Sequence, residues 1–303
     1  MIVFVPEFGA KGIWISLFNS ISAFCNAGID IISENSLIQY VHNPIINFVT
    51  CALIIIGGLG FIVWWDIVRI IREKKSVNSL TLHSKIVLIS TVILIAIGTL
   101  GVMIGEYNNP LTMKEYSFGE KLEASFFQSV TLRTAGFATI PQQNLTNATA
   151  IISLFLMFIG GSPAGTAGGV KTVTIAVLVV TMISMIKNKN EIALFNRKLA
   201  HNDIRKAIAV IFMSLLILIS STFLLALVTE ASFIDIAFET VSATATVGLS
   251  RNLTPFLNMW GKSIIIATMY FGRVGPISLA LALNTKKRKT NIIKHPVEEI
   301  TIG

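Results

Sequence analysis

Apolar residues in this chain gather into runs longer than one face of a soluble helix requires, and polar residues fall mostly between them. Four runs, at about 44–71, 85–106, 204–229 and 259–284, reach the ~20 apolar residues that a membrane-spanning helix needs. A fifth run, 148–186, is apolar for 39 residues. As one helix it would be about 58 Å long, against a hydrocarbon core of about 30 Å. Its middle reads GGSPAGTAGGVKT, Gly160 to Thr172, with five glycines and a proline. No lipid-facing helix tolerates that sequence, so it predicts a break whose backbone faces packed protein or a watery cavity. Three shorter amphiphilic segments, about 11–24, 119–132 and 232–244, are too short to cross and predict re-entrant helices.

The short segments end in one phrase written three times: FNSISAFCNAG at 18–28, FQSVTLRTAG at 127–136 and FETVSATATVG at 238–248. Each is rich in Ser and Thr, and each closes on a glycine preceded by Ala27, Ala135 or Val247. The copies lie roughly 110 residues apart, the period of a repeated membrane module rather than of a solenoid. One copy alone reads more readily as a small-residue helix contact. Three copies, at equivalent places beside short re-entrant segments, point to a shared device.

Composition agrees with a membrane class: 53% of the 303 residues are hydrophobic and 13% charged, where a soluble domain averages about 25% charged. The opening MIVFVPEFGAKG does not read as a signal peptide, since Pro6 and Glu7 interrupt it and no basic stretch leads it. The net charge of +8 is a matter of topology. Segments 69–85, 187–206 and 284–303 carry 5, 6 and 5 Lys or Arg, whereas 1–47, 106–147 and 230–262 carry 1, 3 and 2 together with ten acids. The positive-inside rule puts the first set, and the C-terminus, in the cytoplasm. The basic segments then face anionic lipid, and no nucleic-acid partner is implied. Cys25 and Cys51 make neither a disulfide framework nor a metal site, and the four histidines are scattered.

On this topology every glycine phrase lies on the outer side, after a helix that dips in and before a run that leads down. A dehydrated monovalent cation needs several oxygens at contact distance, and neutral carbonyls hold it weakly enough to release it. Turning carbonyls toward an axis takes backbone outside helix and strand geometry, which glycine permits. A short helix aimed C-end first adds about half a negative charge. The Ser and Thr hydroxyls can tie each phrase to its surroundings.

The three phrases resemble the filter segments of the Trk/Ktr/HKT superfamily of potassium transporters. GGSPAGTAGGVKT resembles that family's intramembrane loop, MYFGRVGP (269–276) its last helix, and HPVEEITIG (295–303) the tail of the Ktr-type membrane subunit. The resemblance covers nearly the whole chain. It implies an all-α integral membrane protein of repeated span–pore helix–span units around a central pore, with one filter glycine per repeat and three filter segments here of an expected four. The chain then divides into a partial second repeat (1–83), a third repeat with a broken second span (84–201), a fourth repeat (202–284) and a cytoplasmic tail (285–303). On this reading it is an N-terminally truncated membrane subunit.

By the same resemblance Gly28, Gly136 and Gly248 are the filter glycines. The carbonyls of Asn26, Ala27, Thr134, Ala135, Thr246 and Val247 are their companions, and potassium is held by filter carbonyls alone. The middle phrase is one residue shorter between Phe and Gly, which leaves the register of Thr131–Arg133 open, and Thr244–Ala245 stand where the family has an aromatic and a glycine. The resemblance also implies potassium as the transported ion under an influence of sodium, no cofactor in this chain, a homodimer, and a cytosolic ring of nucleotide-binding regulatory subunits.

The loop at 160–172 invites a rival reading as a phosphate loop, but Val170 occupies the place of the glycine before Lys171, and no soluble strand precedes it. The family reading makes it a gate. Gly160, Gly161, Gly165, Gly168 and Gly169 supply mobility, Lys171 sets a positive charge near the path, and Arg273, inside the last apolar run, lies close to the barrier. An arginine at that depth costs at least about 2.5 kcal/mol, so it has work or a partner. Asp66 is expected to pair with Arg69, Trp64–Trp65 to anchor at the interface, and Glu239 to raise cation concentration at the mouth. Arg133 has two readings, a bond to carbonyls or an offset to that field. The sequence thus favours potassium uptake, with a non-conducting remnant of purely assembly role as the alternative. An enzyme is disfavoured, since no nucleophile–base pair or metal cluster is legible.

Overall fold

A computed structural model describes residues 1–33, 35–188 and 191–275. A short helix α1 (Phe4–Phe8) turns into α2 (Lys11–Phe24), and α3 (Pro44–Gly58) follows a loop. Pro44 starts α3 without loss because the first helical N–H has no intrahelical acceptor, and Asn43 caps it by accepting from Ile46 N. Next come α4 (Phe61–Arg72) and α5 (Leu82–Glu106), then α6 (Phe118–Thr131), which opens on a reciprocal capping box between Ser117 and Glu120. The 39-residue apolar run folds as α7 (Asn147–Phe158) and α8 (Thr172–Ile186), separated at the glycine-rich stretch. A hairpin of β1 (Ala193–Leu194) and β2 (Arg197–Lys198) leads to α9 (His201–Val228), α10 (Phe233–Ala245) and α11 (Met259–Val274).

The three expected re-entrant helices are α2, α6 and α10, each matching its expected bounds to within a residue or so. With 25 and 28 residues, α5 and α9 are long enough to cross a bilayer. The last span is described only through Gly275; its remainder and the tail at 285–303 lie outside the described residues.

One expected span is not continuous. The run at 44–71 breaks at Gly58–Leu59–Gly60, and α3 and α4 meet at 93°. Gly60 has φ +88°, a conformation that ends α3 and that a side chain disfavours. The reason for the break lies a hundred residues away, as shown below.

Polarity is distributed as a bilayer demands. Ile93, Ile97, Leu100 and Ile104 on α5, and Phe212, Ile219, Phe223 and Leu227 on α9, are exposed. The interior around α6 and α10 holds Ser125, Gln128, Ser129, Thr131, Thr134 and Thr240, all fully buried. Buried Glu106, at the end of α5, accepts from the Thr112 hydroxyl (2.7 Å), the Asn109 amide (2.6 Å) and both N–H and hydroxyl of Thr146 (2.9 and 3.0 Å). That set clamps α5 to the start of α7, because a buried carboxylate is tolerated only when its oxygens are satisfied.

Candidate cation pathway and its loop

The three phrases share a backbone signature. Asn26, Thr134 and Thr246 have φ of 49°, 72° and 54°, and two residues later Gly28, Gly136 and Gly248 have φ of 64°, 87° and 94°. The residue between each pair has ordinary negative φ. Left-handed residues at every second position carry the chain out of its helix into a form that neither helix nor strand provides. Non-glycine residues held there are strained by roughly 1–3 kcal/mol each, and such strain persists only where surroundings fix it.

What fixes it is a hydroxyl repeated with the phrase. Ala27 N donates to Ser22 O (2.9 Å), Ala135 N to Thr131 O (2.9 Å) and Val247 N to Ser242 O (2.8 Å). The side chains of the same three residues reach past the glycine in the first two copies and to the glycine itself in the third. Ser22 Oγ donates to Ile29 O (2.5 Å), Thr131 Oγ1 donates to Phe137 O (2.6 Å), and Ser242 Oγ accepts from Gly248 N (3.2 Å). These bonds settle the register that the sequence leaves open. The first bond spans five residues in the first and third copies and four in the second, so the missing residue falls between Thr131 and Ala135. From Thr134 onward all three copies run in step.

The three glycines converge. A methyl at Gly28 would collide with Ala135 O and fall 2.7 Å from Gly136 Cα. A methyl at Gly136 would overlap Val247 O and lie 3.1 Å from Gly28 Cα, and one at Gly248 would lie 3.8 Å from Gly136 Cα. Segments about 110 residues apart thus meet backbone to backbone. Between the first and third phrases the arrangement is open. A cleft of ≈ 680 Å³ there is lined by Cys25, Asn26, Ala27, Thr246, Gly248 and Glu239, among others. Buried Glu239 accepts from the hydroxyls of Ser250 (2.7 Å) and Thr254, so it also holds the loop that follows Gly248.

The stretch from Gly160 to Lys171 is a closed loop packed against all three phrases. Its two ends pair through Gly160 N to Val170 O (3.0 Å), Val170 N to Phe158 O (3.0 Å) and Thr172 N to Gly161 O (3.1 Å). Thr166 Oγ1 donates to Phe24 O (3.1 Å) and lies 3.2 Å from the Asn26 amide. Gly168 N donates to Thr134 Oγ1 (2.9 Å), and a methyl at Gly168 would strike Thr246 Oγ1. Gly169 takes φ +68° within the turn, while Gly160 abuts Gly168 and Gly169 and has no room for a side chain.

The loop also explains the break in the earlier span. Ser162 N donates to Gly58 O (3.0 Å), Thr166 N to Gly57 O (3.3 Å), and Phe61 N donates back to Ala164 O (3.0 Å). Gly165 sits against Gly57 O, Gly58 O and Gly60 Cα, and Gly60 against Pro163 O. Carbonyls freed where α3 ends are satisfied by the loop, as a non-helical backbone at membrane depth requires.

Both cations at the loop are spent on its carbonyls. Lys171 Nζ donates to Ala167 O (2.6 Å) and Arg273 Nη1 to Thr166 O (3.2 Å). A cavity of ≈ 430 Å³ beside them is lined by loop residues, Ser214 and Gly272. Among the described residues Arg133 reaches no carbonyl; its partner there is the Thr91 hydroxyl at 3.4 Å, and its Nε has none. Asp66 pairs with Arg69 (2.6 Å) as expected, and its other oxygen accepts from Thr81 N and Oγ1 (2.8 and 2.9 Å). His42, which the sequence leaves without a partner, meets Glu120 at 2.7 Å. Among the described residues no group of three or more His, Cys, Asp or Glu could hold a metal.

Residues 4–294 match the family model described as TrkH, cation transport protein. The chain is 41% identical over 308 residues to the potassium/sodium uptake protein NtpJ of Enterococcus hirae, covering 100% of this chain and 67% of that one. It is 40% identical over 300 residues to the Ktr system potassium uptake protein B of Bacillus subtilis, covering 99% and 66%. The crystal structure of the potassium transporter TrkH from Vibrio parahaemolyticus superposes with a TM-score of 0.74 at 17% identity, over 93% of this chain and 60% of that one. The chain therefore spans about two thirds of the length of the relatives it matches.

Proposed function

This chain belongs to the TrkH family of cation transport proteins, and from that premise we propose that it carries potassium across the cytoplasmic membrane through a filter of backbone carbonyls. The observation that carries the reading is the convergence of Gly28, Gly136 and Gly248 in one shared backbone conformation. Asn26, Ala27, Thr134, Ala135, Thr246 and Val247 supply the neighbouring carbonyls, and short helices α2, α6 and α10 present their negative ends to the same place. The uptake proteins named above support potassium as cargo with sodium as an influence. The repeats run 1–83, 84–201 and 202–284, with 285–303 as a cytoplasmic tail. The protein works as a homodimer on a cytosolic nucleotide-binding ring.

In this reading Gly160–Lys171 is the gate. Its contacts with all three phrases close the path, and Lys171 and Arg273 hold it shut through Ala167 O and Thr166 O. The test is rubidium uptake in cells lacking their own potassium uptake systems, with the protein expressed from its full reading frame. Arg273→Ala and deletion of 164–168 should each raise flux several-fold; unchanged or lower flux in both, at normal expression, refutes the gate. The second reading is a non-conducting subunit with only an assembly role. Absence of uptake by the unaltered protein would select it.

A further inference from the structure

Helix α4 carries a face that no other described element covers. Phe61, Trp65 and Val68, 53%, 74% and 51% exposed, form one row along it, and Arg72 continues the row. Val63, Asp66 and Ile70 on the opposite side are buried, Val63 in a cluster with Leu59 and Val87 and Asp66 through its bonds to Thr81. Beyond the row the chain is basic: Arg72 and Lys74 have no carboxylate within salt-bridge distance among the described residues, and Lys75 pairs with Glu73 at 2.8 Å.

The depth of this face follows from α3. Its 15 residues descend about 22 Å from the outer side, leaving about 8 Å of a hydrocarbon core of about 30 Å. There the chain turns by 93°, so that with α3 upright in the bilayer α4 runs along the membrane plane. An apolar row flanked by Trp and tipped with Arg and Lys, lying several ångströms inside the headgroup boundary, has the pattern of an interfacial helix. Its exposed cations complement the anionic lipid of the cytoplasmic leaflet.

We propose that α4 is an in-plane helix that binds anionic phospholipid headgroups of the inner leaflet, and that its seating in the bilayer steadies the loop at 160–171. The link is short: the first N–H of α4, on Phe61, donates to Ala164 O, and Gly60 lies against Pro163 O. A helix lifted from the interface drags the loop's own carbonyl with it. The binding half rests on the exposed row and on the topology read from the basic segments; the control half rests also on the pore reading above.

The test uses the full protein in nanodiscs and in liposomes, with phosphatidylglycerol raised from none to half of a phosphatidylcholine bilayer. Binding is read as the rise in thermal midpoint with anionic lipid, and as quenching by brominated lipid of a variant retaining Trp65 as its one tryptophan. Arg72→Gln with Lys74→Gln should remove most of the rise, each lost cation weakening anionic lipid binding about five-fold. Rubidium flux should depend on phosphatidylglycerol in the unaltered protein and lose that dependence in the double variant. Equal midpoints in neutral and anionic bilayers, or an unquenched Trp65, overturn the proposal and leave α4 as a protein-docking face. A lipid-dependent midpoint without lipid-dependent flux overturns only the control half. No flux in any bilayer, with the midpoint still lipid-dependent, tells against the pore reading.

Discussion

The first and second glycine phrases have the same backbone and opposite surroundings. From Phe127 to Ala135 every residue is buried, and Thr131, Leu132, Thr134 and Ala135 are wholly so. The first phrase rides on α2, where Ile13, Trp14, Leu17 and Ile21 are 47–61% exposed, and its Cys25 is open to the cleft. Yet Asn26 and Gly28 take the conformation of Thr134 and Gly136, and Ser22 makes the bonds that Thr131 makes. The local device, a hydroxyl reaching past a glycine, therefore takes the same shape in exposed and in buried surroundings. What the surroundings add is the cost of disturbing it.

The largest separation between copies is expected at the glycines. Gly136→Ala forces a methyl into Val247 O and Gly28→Ala into Ala135 O, each on top of roughly 1–2 kcal/mol for a left-handed alanine. Both should reduce rubidium uptake more than tenfold. Gly248→Ala meets nothing closer than 3.8 Å, so only the strain applies and measurable uptake should survive. Equal losses at all three positions would mean that convergence is not what matters there.

Removing the hydroxyl should separate the copies less. Thr131→Val strands Phe137 O in a dry interior, a loss of about 1–3 kcal/mol, read as a lower thermal midpoint in detergent. Ser22→Ala frees Ile29 O on a residue 60% exposed, where solvent or headgroups replace the donor, and should cost less than about 1 kcal/mol. The reverse order would contradict the contrast between the phrases.

Thiol labelling reads the same contrast without a loss of stability. Cys25 should react with a small polar maleimide while Cys51, 2% exposed, stays unlabelled until the protein unfolds. Protection of Cys25 would show the first phrase to be covered.

The smallest effect concerns the outer end of α6. Hydrogen bonds from Ser117, and the nearby His42, hold the Glu120 carboxyl below its usual range. A carboxylate with a depressed folded value stabilises above its unfolded value, about 4.3, and that contribution is lost as pH falls through the folded one. Glu120→Gln should lower the thermal midpoint slightly at pH 7, and the difference should vanish in acid. A difference that persists at pH 3 would mean that the carboxylate charge is not its source.

The short helices were legible because their segments are bounded by polar loops and end in glycine. The break at 160–172 was legible because five glycines and a proline cannot cross as a helix. The break at Gly58–Gly60 was not. Gly57–Gly58–Leu59–Gly60 inside an apolar run reads as close helix packing, and only the loop that donates to Gly57 O and Gly58 O makes it a turn. The hairpin at 193–198 was missed as well, although Phe195–Asn196 at φ 50° and 59° form the two-residue turn that such strands prefer. The register of the middle phrase needed the bonds themselves, since one missing residue can be placed anywhere in a Ser- and Thr-rich stretch.

The seat that the broken span offers the loop has an energetic consequence. Ser162 N and Thr166 N complete two carbonyls, and Ala164 O completes one amide in return. Sliding the loop by an ångström or two would stretch all three bonds together and leave polar groups bare in a medium that cannot solvate them, at about 1–3 kcal/mol apiece. Intermediate positions are therefore the costly ones. Motion of this loop should be all-or-none, giving single-channel records with discrete levels rather than a continuum of partial conductance.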